Sequence, residues 1–442
     1  MGKRICVMLL ALLLLATLAA PTMAQDSVEL HYWLWDTLQL PGYEACAAEF
    51  EVQNPNIDVV IEQLGWGDYW STLQTNMIAG GAPDVFTNWI GQTPEYVDRG
   101  LIVDIQPLVE RDSVPTDIYI GNTADLWVHE GSRYALPKDW DTVAVVYNAD
   151  MLEAAGIDPA VMDTWTWNPV DGGEFEQVVA QLTLDANGNN GLSPDFDPAN
   201  VVQYGFLQNA GTDAYGKTAW GPFAVSNGFF HQAEPWSSDY NYADPALAET
   251  LEWMRSLWLE KSFAPPYTDI VVQDGTPLFL AGEGAIIVQG SWMVNSFVDS
   301  GINFGFGRLP SGPEGLPRTA TNSLGDSIWT GTTHPDEAWE WVKFLASAEC
   351  QVMVGETGAV FPATEAGTQA VIDLREEQGI DVSVFFELAD EPGVTYYDPV
   401  GGNFSVVTEI MSETMSSIFL GTEADVQAAL DAAMEEINAS MD

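Results

Sequence analysis

The sequence predicts an α/β fold, with parallel strands alternating with helices packed on the sheet. Three observations carry this: β-branched and aromatic runs bounded by turn residues, apolar periodicity of 3.6 residues between them, and a regular strand–helix–strand order.

The elements follow in order. "VELHYWLW" (28–35) alternates loosely and reads as a strand. In "GYEACAAEFEVQNP", Tyr43, Cys46, Ala47 and Phe50 recur at i, i+3, i+4 and i+7, an amphipathic helix stopped by Asn54-Pro55. "NIDVVIEQL" (56–64) is a second strand. "GDYWSTLQTNMIAGGAP" places Trp70, Leu73 and Met77 on one helical face and stops at Gly80-Gly81. "DVFTNW" (84–89) is a third strand. "TVAVVYN" (142–148) and "GAIIVQG" (284–290) have the continuous apolar character of strands buried on both faces. "DPALAETLEWMRSLWLEK" is a helix with Asp244 as cap and Pro245 in its first turn. "HPDEAWEWVKFLAS" aligns Ala338, Val342 and Leu345 on one face. "GTEADVQAALDAAMEEI" closes the chain, with Thr422 and Asp425 spaced as a capping box.

Residues 1–24 read as a cleaved leader rather than structure: Lys3 and Arg4, an apolar core "VMLLALLLLATLAA", and "TMA" before Gln25. The apolar run is short for a bilayer span and no second one follows, so an exported chain is expected. Cys6 lies in the basic region and not at the cleavage point, so no lipid anchor is expected. Loss of Lys3 and Arg4 takes the 13 basic residues to 11 against 65 acids, and the net charge from −52 to −54. Such a field repels nucleic acid, anionic membrane surfaces and small anions, leaving neutral or cationic ligands. Cys46 and Cys350 allow one disulfide arithmetically. Both fall in amphipathic helical patterns, and two buried thiols are the preferred reading.

Seventeen tryptophans exceed what cores require, and several fall at strand carboxyl ends, where open α/β sheets bind ligands. These are Trp35 and Asp36, Trp66 and Tyr69, Asn88 and Trp89, and Trp292. "PKDWDTVAVVYNADML" adds an acidic, aromatic corner, Lys138, Asp139, Trp140 and Asp141, just before the strand 142–148. Indole and phenol rings stack on the C–H faces of pyranoses, while Asp, Asn and Lys hydrogen-bond their hydroxyl edges. The helical Trp70, Trp253, Trp258, Trp339 and Trp341 read instead as packing residues, and Trp165 and Trp167 as a staple. Asp185, Asn187 and Asn189 are spaced like calcium-loop ligands, but position six is Asn190 and position twelve Phe196, so a plain turn is preferred.

Catalytic signatures are missing. His31, His129, His231 and His334 are scattered, with no H-E-x-x-H, G-x-S-x-G or Walker A loop. Carboxylate pairs carry little information in so acidic a chain.

The ordered stretches "FEVQNPNIDVVIEQLGWGDYWSTLQTNMIAGGAPDVF", "YALPKDWDTVAVVYNADMLEAAGI", "TWTWNPVDGGEF", "FLAGEGAIIVQGSWMV", "NSLGDSIWTGTTHPDEAWEWVKFLAS" and "ETGAVFPA" resemble the sugar-binding proteins of ATP-binding-cassette importers, of the maltose-binding and glycerol-phosphate-binding type. The resemblance implies a two-lobed periplasmic-binding-protein fold with interleaved lobes, a hinge and an interlobe ligand cleft. It implies a first lobe of 25–139 plus 325–361 and a second of 140–324 plus 362–442. By position it implies cleft residues Trp35, Asp36, Trp66, Tyr69, Asn88, Trp89, Asp139, Trp140, Asp141, Trp220, Trp292, Asn322 and Asp326, with Tyr396 and Tyr397 as further candidates. The matched loops offer only Lys138 as a cation, against an anionic ligand. The expectation is a monomeric, non-enzymatic, periplasmic carrier. It takes a neutral carbohydrate to membrane permease subunits, with no cofactor beyond the candidate calcium turn. A cationic ligand such as a polyamine, or an exported carboxylate-dependent glycoside-active enzyme, are the alternatives.

Overall fold

The computed structural model describes residues 27–441. The leader expected at residues 1–24, with Cys6, lies outside the described residues. Thirteen strands form: β1 Val28–Leu34, β2 Ile57–Gln63, β3 Val85–Trp89, β4 Val128–His129, β5 Ser132–Arg133, β6 Leu136–Asn148, β7 Leu184–Asp185, β8 Val201–Leu207, β9 Gly284–Gly290, β10 Phe304–Gly307, β11 Thr319–Ile328, β12 Phe361–Pro362 and β13 Thr395–Tyr397. Eleven join one sheet, in the order β2-β1-β3-β11-β6-β9-β8-β7, with β10 and β12 paired to β6 and β13 to β11. β4 and β5 form a separate hairpin.

The sheet organises two bodies. In the first, β1 runs parallel to β2 and β3, and the helix Leu40–Gln53 packs Tyr43, Cys46, Ala47 and Phe50 beneath them. In the second, β8 runs parallel to β9 within a larger core containing Phe175, Phe206, Trp253 and Ile287. Between the bodies pass β6 and β11, antiparallel, with Asn322 opposite Asp141 and Leu324 opposite Asp139. The sheet is therefore mixed rather than parallel throughout. β6 leads the chain out of the first body and β11 leads it back, so the two must run in opposite senses.

Several expectations are refined. The strand expected at 142–148 begins at Leu136, so the acidic corner lies inside β6 and not before it. Carboxylates are tolerated in mid-strand because one face there is covered by no helix and borders a cavity instead. The expected helices form, and Gly80 takes φ 83° at the end of the helix Trp66–Ala79, returning its N–H to Asn76 O at 2.9 Å. Asp244 caps its helix by accepting from Ala246 N at 2.9 Å. The last helix starts later than the Thr422–Asp425 box implies. Asp425 is itself the cap, accepting from Ala428 N at 3.0 Å, while Thr422 Oγ1 donates to Ser417 O.

The cysteines are the clearest correction. Cys46 and Cys350 are fully buried, as their helical patterns indicate, but they form a disulfide across Cα atoms 5.2 Å apart. The helices Leu40–Gln53 and Ala348–Gly355 pack on each other, and their inward faces bring the two sulfurs together. No local pattern signals a pairing over 304 residues.

Candidate ligand-binding site

A cavity of about 650 Å³ lies between the two bodies where β6 and β11 cross. Strand alternation builds its floor. With a side-chain period of two, Asp139 and Asp141 point to the cavity and Lys138 into the first body, while Trp140 borders the cavity from its supporting side. The register adds Asn322 and Leu324 from β11 to the same face. Asp139 Oδ1 accepts from Leu324 N at 3.2 Å, whereas its Oδ2 and Asn322 Oδ1 are buried without a protein partner. Burial pushes the Asp139 carboxyl up to about 7, with Lys138 opposing and Asp141 reinforcing the shift. The same desolvation takes Asp141 to about 6, against the pull of Lys217.

The first body supplies an aromatic wall. Trp35 follows β1 and meets Trp66, Tyr69 and Trp70 at ring-centroid distances of 5.2, 5.1 and 5.1 Å. Edge-to-face contacts of this kind fix ring orientation. Trp66 keeps 44% of its surface exposed, and Trp89, at the end of β3, reaches Tyr215 of the second body at 5.1 Å. Asp36 accepts from Leu38 N at 2.8 Å and Gln39 Nε2 at 3.0 Å, shaping the turn into the first helix while lining the cavity.

The second body supplies a charged wall from the loop after β8, the turn after β9 and the residue after β13. Lys217 Nζ lies 2.6 Å from Asp141 Oδ1 and 3.2 Å from Asp398 Oδ2. Burial draws the ammonium toward neutrality, but Asp141 and Asp398 outweigh it and hold Lys217 protonated. Asp213 accepts from Tyr215 N at 3.0 Å and from Gly216 N; burial still raises it to about 6. Trp292 follows β9 and lies back over Gly290, where a Cβ would stand 2.0 Å from its ring. Only glycine permits that approach.

Nine of the expected residues line this cavity: Trp35, Asp36, Trp66, Trp89, Asp139, Trp140, Asp141, Trp292 and Asn322. Trp140 borders it as a support, with its indole packed on Phe361 and Phe386 and its Nε1 donating to Thr368 Oγ1 at 3.1 Å. Seven do not line it. Tyr69 is buried behind Trp35, its hydroxyl donating to Thr87 O and Trp33 O. Asn88 is fully buried away from the cavity, its Nδ2 donating to Ser327 Oγ at 3.0 Å and Thr93 Oγ1 at 3.2 Å. Lys138 donates to Thr87 Oγ1 at 2.9 Å and Tyr32 OH at 3.3 Å. Asp326 accepts from that same Tyr32 hydroxyl at 2.8 Å, so the pair is a buried network of the first body. Trp220 is fully buried, donating to Gly211 O at 2.9 Å and holding the loop that carries Lys217. Tyr396 stacks near His231, and Tyr397 bonds Asn122.

Asp213, Tyr215, Lys217 and Asp398 were not expected. The strand-end rule finds the first three once β8 is recognised, since they lie in the loop that follows it. Asp398 adjoins Tyr397 in the candidate segment and lines the cavity, whereas Tyr396 and Tyr397 do not.

The calcium-like turn is held together by hydrogen bonds to Asp185. Asp185 takes four donors, from Asn187 N, Asn189 N, Asn189 Nδ2 and Asp197 N, at 2.8–3.0 Å. Burial of Asp185 works upward, but these donors prevail and hold it at about 2. Asn189 also donates its amide N–H to Asp195 O at 3.1 Å, which closes the turn further. Among the described residues no group of three or more His, Cys, Asp or Glu could hold a metal.

The chain is 25% identical over 330 residues to the maltotriose-binding protein of Pyrococcus abyssi, covering 71% of this chain and 62% of that one. It is similar to the structure of M. tuberculosis UspC, at 26% identity and a TM-score of 0.73, covering 93% of this chain and all of the other. An ABC substrate-binding protein from Listeria monocytogenes in complex with cycloalternan superposes with a TM-score of 0.80 at 20% identity, covering 94% and 99%. Residues 36–352 match the family of bacterial extracellular solute-binding proteins, and the chain belongs to that family.

Proposed function

We propose that the protein is the substrate-binding component of an ABC-type importer, holding a neutral mono- or oligosaccharide between two hinged lobes. The carrying observation is the cavity itself. Its volume falls in the range of about 300–1,000 Å³ common to small-molecule sites. It opposes indole surface, from the exposed Trp66 and the half-buried Trp292, to unpartnered acceptors, Asp139 Oδ2 and Asn322 Oδ1. A pyranose presents C–H faces to the first and hydroxyl donors to the second. Charge-assisted hydrogen bonds are about twice as strong as neutral ones, so the aspartates are effective anchors. The maltotriose-binding and cycloalternan-bound relatives support a carbohydrate ligand.

In this reading the first lobe is 25–139 plus 325–361 and the second 140–324 plus 362–442, with β6 and β11 as the hinge. Ligand contact with both walls favours the closed form, which the permease then distinguishes from the open one. The protein acts as a monomer in the periplasm after loss of its leader. It binds no nucleic acid and performs no catalysis.

Calorimetric and fluorescence titration with maltotriose, mannotriose and monosaccharides tests this. Saturable binding is expected, weakened at least tenfold in Trp292→Ala and accompanied by no release of reducing sugar. Binding of spermidine alone, or sugar cleavage abolished by Asp139→Asn, would overturn it.

A further inference from the structure

We infer that Lys217 sets the specificity of the cleft, as a built-in counter-ion that makes an acid-lined site accept an uncharged polyol and refuse an ammonium-bearing one. The inference rests on the sugar-binding reading above and goes further, since it assigns selectivity to one residue.

Five aspartates line the cavity, Asp36, Asp139, Asp141, Asp213 and Asp398, against a single basic side chain, Lys217. Such a surplus by itself draws cations. The Lys217 ammonium, however, already occupies the place a cation would take. It contacts Asp141 and Asp398 and sits 5.0 Å from the centroid of Trp292. Carboxylates on two sides and an indole face on a third are the surroundings that recognise a free ammonium group.

The lysine is held in place. Its loop is fixed by Asp213 accepting from Tyr215 N and Gly216 N, and by Trp220 Nε1 donating to Gly211 O. Gly216 adopts φ 58°, with the Trp220 ring 2.2 Å from where a Cβ would lie, so the backbone beside Lys217 has one packed arrangement. Lys217 is itself buried, at 8% exposure. With Lys217 engaging Asp141 Oδ1 and Asp398 Oδ2, the buried acceptors left for hydroxyl donors are Asp139 Oδ2, Asn322 Oδ1 and Asp398 Oδ1.

The test titrates wild type, Lys217→Ala and Lys217→Arg with maltotriose, mannotriose, a glucosamine trimer and spermidine at pH 7. It also compares melting temperatures in methylammonium chloride and sodium chloride at equal ionic strength. Wild type should bind a neutral trisaccharide and neither ammonium ligand. Lys217→Ala should lose at least tenfold for the neutral sugar and gain at least tenfold for an ammonium ligand, and Lys217→Arg should keep the wild-type order. Methylammonium should raise the melting temperature of Lys217→Ala and not that of wild type. Lys217→Gln carries the same comparison should the alanine variant not be recovered folded. A Lys217→Ala protein with wild-type selectivity, or one indifferent to methylammonium, overturns the inference. Wild type that binds no neutral sugar overturns the sugar reading instead, and the melting comparison still decides whether Lys217 fills an ammonium cage.

Discussion

One wall of the cleft is held by rings and the other by charge. On the first, Trp35 is clamped among Trp66, Tyr69 and Trp70, with every contact made inside one body. On the second, Lys217 joins Asp398 of its own wall to Asp141 of the crossing strand. Ring packing depends on burial and shape and is indifferent to pH and salt. A buried ion pair depends on keeping both partners, because removing one strands the other in a poorly solvated place. The aromatic wall should therefore fail by degrees as rings are removed, and the charged wall should respond to protonation.

The sharpest contrast lies within the aromatic wall. Trp35→Ala removes a ring that supports three neighbours as well as the cavity surface, and is expected to cost about 3 kcal/mol of stability together with ligand affinity. Trp66→Ala removes a ring that is 44% exposed and should cost about 2 kcal/mol in binding but about 1 kcal/mol or less in stability. Calorimetric titration and denaturant unfolding on both variants measure the two quantities. Equal stability losses would break the distinction between supporting and contacting rings.

Protonation probes the acidic floor that the charged wall meets. Asp139 ionises near 7 in the folded protein and near 4 when unfolded, so the folded state holds the extra proton between those values. Its ionised form is disfavoured by folding, and the cost grows as pH rises through that window and is complete above 7. Asp139→Asn should accordingly be more favourable relative to wild type at pH 7.5 than at pH 5, by on the order of 2 kcal/mol. Taking the difference between the two proteins cancels the opposing contribution of His231, which burial holds down at about 3. Unfolding curves at the two pH values give the result, and a pH-independent difference would show that Asp139 is not the responsible group.

The smallest effect concerns Tyr69, which stands behind the wall. Tyr69→Phe leaves Trp33 O and Thr87 O without their shared donor and should cost about 1 kcal/mol of stability with affinity unchanged. An affinity loss larger than the stability loss would return Tyr69 to the ligand surface.

These contrasts also show what the sequence could and could not reveal. Elements with internal periodicity, such as the helices around Phe50 and Trp253 and the strands 57–63 and 284–290, were legible because their apolar spacing records which face is buried. Aromatic cleft residues were legible because they terminate recognisable strands. Lys217 was not, since β8, with Val202 exposed and Gln203 and Tyr204 half-buried, lacks the apolar continuity of β9. Lys138 and Asp139 illustrate a finer limit. Adjacent in sequence and alike in polarity, they face opposite ways, and only the register of β6 against β11 decides which enters the cavity. The disulfide depends on a still longer relation, the packing of helices from opposite ends of the first body.

That relation constrains the order of assembly. The core under β1 is completed by Ile328, Trp341, Cys350 and Val360, although its first contributors are Leu30 and Tyr32. Synthesis runs from the N-terminus, so the early half of this body emerges with its apolar side uncovered and Cys46 unmatched. It stays so until the ribosome has passed through the strands of the other body and delivered Cys350, 304 positions later. The body begun first is thus closed only after most of the other has been made. During that interval its exposed half is the surface on which a chaperone, or a mispaired neighbour, would act.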